Sequence, residues 1–391
     1  MKNAIIGVFI GILMIPGSVI VLGWNEYRTI HRTQGLQQGA ELVETVSDPN
    51  SVNSSLNESL VHLTAQANTE EQLQDDEFAV QAQAIQMRRN VEMYQWVEKT
   101  KTRKKKKLGG GEERVTEYSY VKKWEDGRED SDSFEEKAGH ENPPQKFTDQ
   151  SFVAEHVTVG AYELNDVLVS QIIQWEKLPW DAEKLENVDS ELKDQILLSG
   201  NHVYWSETGQ PDPENPNIGD QRIQFEVVNP TQVSLVAQQV GNSFDAYTVP
   251  NGEQIQQLYV GEFTAEKMFE RFQQENIVLA WVLRVIGLVV CCVGFFLIMS
   301  PLAVFSDIIP FLGSMTRGLA FFVAALLGVC VSATTIAVAW IAVRPLIGIP
   351  LLIVAIGSIY MVYRLFSKAK SSNSNPASGP NDDIPYVPMA N

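Results

Sequence analysis

Hydrophobic positions in this chain collect into four long runs, one at the start and three near the end, around a polar middle. The runs are Ala4–Gly23, Ile277–Met299, Leu319–Val343 and Leu346–Phe366. At about 1.5 Å of rise per residue, about 20 apolar residues cover the hydrocarbon of a bilayer. Each run meets that length, so the pattern predicts four transmembrane helices in a one-plus-three layout. Ala4–Gly23 is longer than a usual signal-peptide core, and no Ala-x-Ala site follows it, so it reads as an uncleaved anchor.

The middle reads mostly as antiparallel β structure. Ser59–Ala67 alternates as a strand. Arg89–Thr102 and Arg114–Trp124 flank Gly109-Gly110-Gly111, with Val91, Met93, Gln95 and Val97 on one face; this predicts a long hairpin with a flexible basic tip. Glu125–Lys146 reads as loop. Asn165 or Asp166 can cap a short helix carrying Leu168, Ile172 and Trp175. Gly200-Asn201 turns Ile196–Leu198 into Val203–Trp205. Ile223, Phe225 and Val227 alternate with polar residues, and Asn229-Pro230 leads into Val233, Leu235 and Ala237. Asn251-Gly252 precedes a strand at Ile255–Val260. The β-dense stretches, about 58–125 and 196–260, predict two small subdomains.

Thr264 can cap a helix that starts at Ala265 and runs to Met299, about 50 Å long. Phe263, Met268, Phe269 and Phe272 would dock its outer end on the β block. Ser300–Gly318 mixes Phe305, Ile308, Ile309, Phe311 and Leu312 with Asp307, and predicts a segment along the membrane surface. Arg344-Pro345 joins the last two runs into a tight hairpin. The Ser-, Asn- and Pro-rich end reads as disordered. The expected fold is an α+β membrane protein with four transmembrane helices (1+3) and a large β-rich extramembrane domain between helix 1 and helix 2. Its parts are the anchor 1–23, the β-rich domain 24–264, the helical bundle 265–366 and a cytoplasmic tail 367–391.

Charge sharpens this picture. The formal net charge is −18, and only three of the 48 Asp and Glu residues lie outside the middle block. That block should be soluble and should repel nucleic acid. The cysteines, Cys291, Cys292 and Cys330, all lie in apolar runs, so the block folds without disulfides in whichever compartment it faces. Arg364, Lys368 and Lys370 just past the last run argue for a cytoplasmic C-terminus. Lys2 agrees, while Arg28 and Arg32 pull the other way. The middle block is therefore expected in a periplasm or an endomembrane lumen.

Chemistry-bearing patterns are weak. The chain has no His-Glu-x-x-His, Cys-x-x-Cys, Gly-x-Ser-x-Gly or phosphate-binding loop. His31, His62, His140, His156 and His202 are scattered and read as surface or loop residues. Asp212, Glu214 and Asp220 are interrupted by prolines and read as a solvated loop rather than a calcium site. The Asn-x-Ser triplets at Asn53 and Asn57 are short enough to arise by chance. The basic run Lys99–Lys107 lacks interleaved aromatics, so it reads as a solvated tip that could touch anionic lipid or the acidic surface of a neighbour. No catalytic residue, metal or cofactor is expected. The candidate functional or structural residues are Arg284, Arg344 and Asp307. Arg284 lies inside an apolar run, where a charge is costly and marks an interior partner or a pathway. No acidic residue lies within any run, so snorkelling near Trp281 or a helix–helix hydrogen bond outweighs a conduction role, and Arg284→Leu should be tolerated.

Arg88-Arg89-Asn90-Val91-Glu92-Met93-Tyr94-Gln95-Trp96-Val97-Glu98 resembles the transmembrane protein 43 (LUMA) family. The likeness continues in Asn25-Glu26 and Arg28, Tyr118-Ser119-Tyr120, Gly139-His140-Glu141-Asn142-Pro143 and Ile218-Gly219-Asp220-Gln221-Arg222. It extends to Gly261–Glu266, Trp281-Val282-Leu283-Arg284 and Arg344-Pro345-Leu346. The resemblance implies four spans and a large lumenal domain. It implies residence of animal members in the endoplasmic reticulum and inner nuclear membrane, where they organise envelope complexes with lamin and emerin partners and self-associate. It supplies no catalytic residue. Animal members carry a longer polar segment before the first span and a different tail, which points to a bacterial-type member without nuclear-envelope partners.

The resulting expectation is a non-enzymatic multi-pass scaffold in contact with membrane lipids, other membrane or envelope proteins and further copies of itself. Its location is a bacterial cytoplasmic membrane with a periplasmic domain, or the endoplasmic reticulum and inner nuclear membrane. The alternatives are a channel or transporter subunit and a membrane-anchored enzyme of lipid or envelope metabolism.

Overall fold

The computed structural model describes residues 2–106, 112–180, 188–306 and 310–341, with short stretches between 349 and 364. Three helices dominate the apolar regions: α1 (Lys2–Leu42), α2 (Ala265–Ser306) and α3 (Pro310–Ile341). Each contains a stretch long and apolar enough to cross a membrane, and only 22%, 22% and 33% of those stretches is buried by protein. Phe9, Leu13 and Ile20 point outward on α1. Such surfaces are stable only against lipid. The fourth run, Leu346–Phe366, falls largely outside the described residues.

α2 begins at Ala265 with Thr264 Oγ1 accepting from Lys267 N at 3.3 Å, as its sequence predicts. It ends later than expected, at Ser306. Ser300 Oγ donates to Leu297 O at 2.7 Å. This satisfies the carbonyl that Pro301, lacking an N–H, leaves without its helical donor. The helix therefore survives its proline, and α3 restarts at Pro310, a favoured first-turn residue. Most of Ser300–Gly318 is thus helical; Asp307 lies outside the described residues.

The chain divides into a helical unit, Met1–Ile30 with Asn276–Asn391, and a β unit, His31–Glu275. The main strands of the β unit are β1 (Leu60–Asn68), β2 (Gln86–Lys106), β3 (Glu112–Asp126), β4 (Ile196–Ser199), β5 (His202–Trp205), β6 (Gln221–Val228), β7 (Thr231–Val240) and β8 (Gln257–Val260). One seven-stranded sheet has β7 beside β1, with β8 also on β7; the other runs β4-β5-β6-β2-β3. All these neighbours are antiparallel. The expected hairpin at Gly200-Asn201 is present, and β2 and β3 pair antiparallel out to Lys106–Glu112; the tip at Gly109-Gly110-Gly111 lies outside the described residues.

The division into subdomains at 58–125 and 196–260 does not hold. Leu60–Ala67 of β1 pairs with β7, and Gln86–Met93 of β2 pairs with β6. Each sheet therefore draws on both stretches. The chain passes from the second sheet to the first at Asn229-Pro230, where pairing with a distant strand wins over pairing with the adjacent one. Both sheets feed one core, including Leu63, Met87, Phe225 and Leu235.

β7 is covered on both faces. Val233, Leu235 and Ala237 enter the main core, while Val236 joins a second cluster with Leu36 of α1 and Met268, Phe269 and Phe272 of α2. Each such buried side chain contributes about 1.5–3 kcal/mol. The aromatic docking expected of the start of α2 is present. The polar part of α1 supplies the other half of this layer, which sequence periodicity did not announce. A Cβ at Gly39 would come within 2.4 Å of Ile255 Cδ1 and 3.0 Å of Phe269 Cε1. Here glycine is what allows the close approach.

His62 of β1 is buried and shares hydrogen-bond distance with Phe263 O at 2.8 Å. Burial pushes its imidazole below the ordinary 6.5, against the opposing effect of that carbonyl. The folded form holds His62 neutral, while the unfolded chain takes up a proton near pH 6.5. Stability from this residue is thus complete above that pH and lost as pH falls through it. Thermal melting of the full-length protein in detergent should fall more steeply between pH 7 and pH 5 in wild type than in His62→Gln. Gly39→Leu should lower the melting temperature at every pH, by overpacking of about 1–3 kcal/mol.

Candidate functional site

Arg284 faces the protein, and its partner is Glu26 of α1, just beyond the first apolar run. Arg284 Nε donates to Glu26 Oε1 at 2.6 Å and Nη2 donates to Oε2 at 2.8 Å. Trp340 Nε1 of α3 donates to the same carboxylate. The guanidinium carbon lies 4.9 Å from the ring centroid of Trp281 and 5.1 Å from that of Trp340. Glu26 is fully buried and Arg284 is 10% exposed. Paired fork-to-fork bonds and aromatic faces are what a desolvated guanidinium requires.

Neighbouring polar groups extend the seam. Asn25 Nδ2 donates to Ala280 O at 3.1 Å, and Thr29 Oγ1 donates to Asn25 O at 2.7 Å. Asn276 Nδ2 donates to Thr29 O at 3.0 Å. Trp24, Tyr27 and Trp281 remain exposed around this level, as aromatic residues do at a membrane–water boundary. Deeper in the bundle, glycines bring the backbones together. A Cβ at Gly11 would meet Gly294 O at 2.5 Å, and one at Gly328 would meet Cys292 Sγ at 2.4 Å. Small residues permit such approach between membrane helices.

Of the three sequence candidates, the structure gives Arg284 a defined role as an interhelical clamp. Arg344 and Asp307 lie outside the described residues. Glu26 and Trp340 escaped notice because Glu26 lies outside the apolar run and its contact to Arg284 spans 258 positions of sequence. The only local signal was a carboxylate directly after a span. Among the described residues, no three His, Cys, Asp or Glu side chains gather as metal ligands would.

A second feature lies in the β unit. β2 pairs with β6 only as far as Met93, while its pairing with β3 runs from Glu92–Asp126 out to Lys106–Glu112. Beyond Met93 the two strands form a ribbon that leaves the sheet. The Glu125–Lys146 loop folds on its base. Trp96 N donates to Asn142 Oδ1 at 2.8 Å and Asn142 Nδ2 donates to Trp96 O at 2.9 Å, so one side-chain amide acts as a neighbouring strand. Tyr120 stacks on His140 with centroids 3.8 Å apart. Further out, Lys99, Lys101 and Arg103 are exposed.

The transmembrane protein 43 family profile matches residues 93–345, well over half of the chain. The chain is 28% identical to mouse transmembrane protein 43 over 355 residues, covering 87% of this chain and 85% of the mouse protein. The human protein is likewise 28% identical, over 356 residues with the same coverage. A fruit-fly homologue is 27% identical over 351 residues, 88% of this chain and 90% of its own length. No solved structure matches.

Tolerance of Arg284→Leu does not follow from this geometry, because the substitution strands a buried carboxylate. Removing one partner of such a pair costs about 3–5 kcal/mol, whereas an apolar replacement of both can be nearly neutral. Arg284→Leu should markedly lower the melting temperature in detergent, and adding Glu26→Leu should recover most of the loss.

Proposed function

Because this chain belongs to the transmembrane protein 43 family of membrane proteins, we propose that it is a non-enzymatic membrane scaffold whose β unit lies outside the cytoplasm. Its helices anchor it, and its β unit presents a binding surface to other membrane or envelope proteins, to anionic lipid headgroups and to further copies of the chain. The observation that carries this reading is the β2–β3 ribbon. A two-stranded ribbon outside its sheet is marginally stable alone, and its exposed basic side chains are suited to an external contact. The saturated guanidinium of Arg284 supports an anchoring role for the helices over a conduction path. Arg364, Lys368 and Lys370 after the last apolar run support a cytoplasmic C-terminus. The membrane is a bacterial cytoplasmic membrane or an endomembrane of a eukaryotic cell; envelope partners such as nuclear-envelope proteins apply only in the second.

Cross-linked pull-down from membranes with mass spectrometry tests the reading. Wild type should enrich a reproducible set of membrane proteins and copies of itself, and a variant carrying Lys99→Glu, Lys101→Glu and Arg103→Glu should lose part of that set. Recovery no greater than from an unrelated multi-pass control would rule the scaffold out. For orientation, Thr100→Cys expressed in a bacterial host should react with an impermeant maleimide in intact cells. Reaction only after lysis would reverse the assignment.

A further inference from the structure

We propose that β3 is a homodimerisation edge, along which two copies pair antiparallel about a two-fold axis through Tyr120. This rests on the scaffold reading and names the partner of the ribbon. β3 closes the second sheet, and among the described residues no strand or backbone hydrogen bond occupies its outer side. A long open edge is a template for another strand.

The opposite edge of the ribbon is less available. Tyr94 N donates to Asp220 O, Gly219 N donates to Tyr94 O, and Asn142 fills the place beside Trp96. Further out, β2 carries Lys99, Lys101, Arg103, Lys104, Lys105 and Lys106, so β2 against β2 would oppose like charges.

The register follows from strand geometry and charge. Tyr94 and Trp96 turn their backbone groups away from β3. Trp96 stands opposite Lys122, so Thr116, Tyr118, Tyr120, Lys122 and Trp124 turn theirs to the open edge. A two-fold axis perpendicular to the sheet keeps each side chain on its own face, which limits the choice to centres on a residue. Centring on Tyr120 sets Arg114 opposite Asp126, Glu117 opposite Lys123 and Tyr118 opposite Lys122, each twice. No like charges meet within β3. Centring on Ser119 would oppose Glu112 to Asp126 and Glu113 to Glu125. Centring on Tyr118 would oppose Arg114 to Lys122, and centring on Val121 would oppose Glu117 to Glu125. The backbone edge thus supplies affinity, and the charges select one alignment. Glu117 and Arg103, 3.7 Å apart within one copy, are both more than half exposed, so Glu117 is free to take a second cation.

A charge-reversal experiment on the full-length protein in detergent, read by light scattering after size exclusion, tests the pairing. Wild type should dimerise in a concentration-dependent manner. Glu117→Lys and Lys123→Glu should each weaken dimerisation roughly ten-fold or more, since each places two like-charge pairs across the axis. An equimolar mixture of the two variants should recover the dimer, because opposite charges then meet at every such position. Val115→Cys in one copy and Glu125→Cys in the other should form an intersubunit disulfide. A monomeric wild type, single variants that dimerise like wild type, or a mixture no better than either alone would each overturn the proposal. Dimers that ignore these charges would leave the scaffold reading standing. Charge-dependent dimers that capture no membrane protein would leave the pairing standing and remove the scaffold.

Discussion

A guanidinium on a membrane helix must be hydrated or neutralised, and that demand sets the register of three helices here. Glu26 on α1 meets Arg284 on α2, and Trp340 on α3 both donates to the carboxylate and covers the guanidinium. A shift of either partner by one residue would turn it about 100° around its helix and break both forked bonds. Gly11 on α1 and Gly287 on α2, at contacts between these helices, tolerate no larger side chain without movement. Lipid offers apolar helices no preference among neighbours. Specificity therefore falls on the few polar groups and the few places where backbones approach closely.

The β unit answers to a different constraint. Its surface meets water, so each sheet needs a buried face. β7 has two, one toward the main core and one toward the polar continuation of α1 and the first turns of α2. Arg32 reinforces that second layer by donating to Glu253 Oε1 at 2.7 Å and to Gln254 O at 2.8 Å. The β2–β3 ribbon is the exception, since beyond its base it has neither a packed face nor a paired outer edge among the described residues. A segment that gives up burial in this way is where contact with another molecule is most readily gained.

Local structure was largely legible. The alternation of Ile223, Phe225 and Val227 marked β6, Gly200-Asn201 marked a turn, and Thr264 marked the start of α2. These signals work because strand pleat, turn conformation and helix capping are each decided by a few adjacent residues. Residues 24–42 were not legible as helix, because Leu36 is the one hydrophobic residue of that stretch buried in the cluster on β7. The continuation of α2 through residues 300–306 was not legible, because Pro301 ordinarily interrupts a helix and the Ser300 hydroxyl that compensates it is a contextual detail.

The sequence by itself determined the membrane character, the polar β block between apolar helices and the absence of disulfides in that block. Each follows from composition and period, which are local sums over the chain. Only the tertiary structure decided that β1 pairs with β7 and β2 with β6, and that Arg284 meets Glu26. Those choices join residues far apart in sequence, and they depend on which distant surface can desolvate a given strand or charge. No local pattern encodes that.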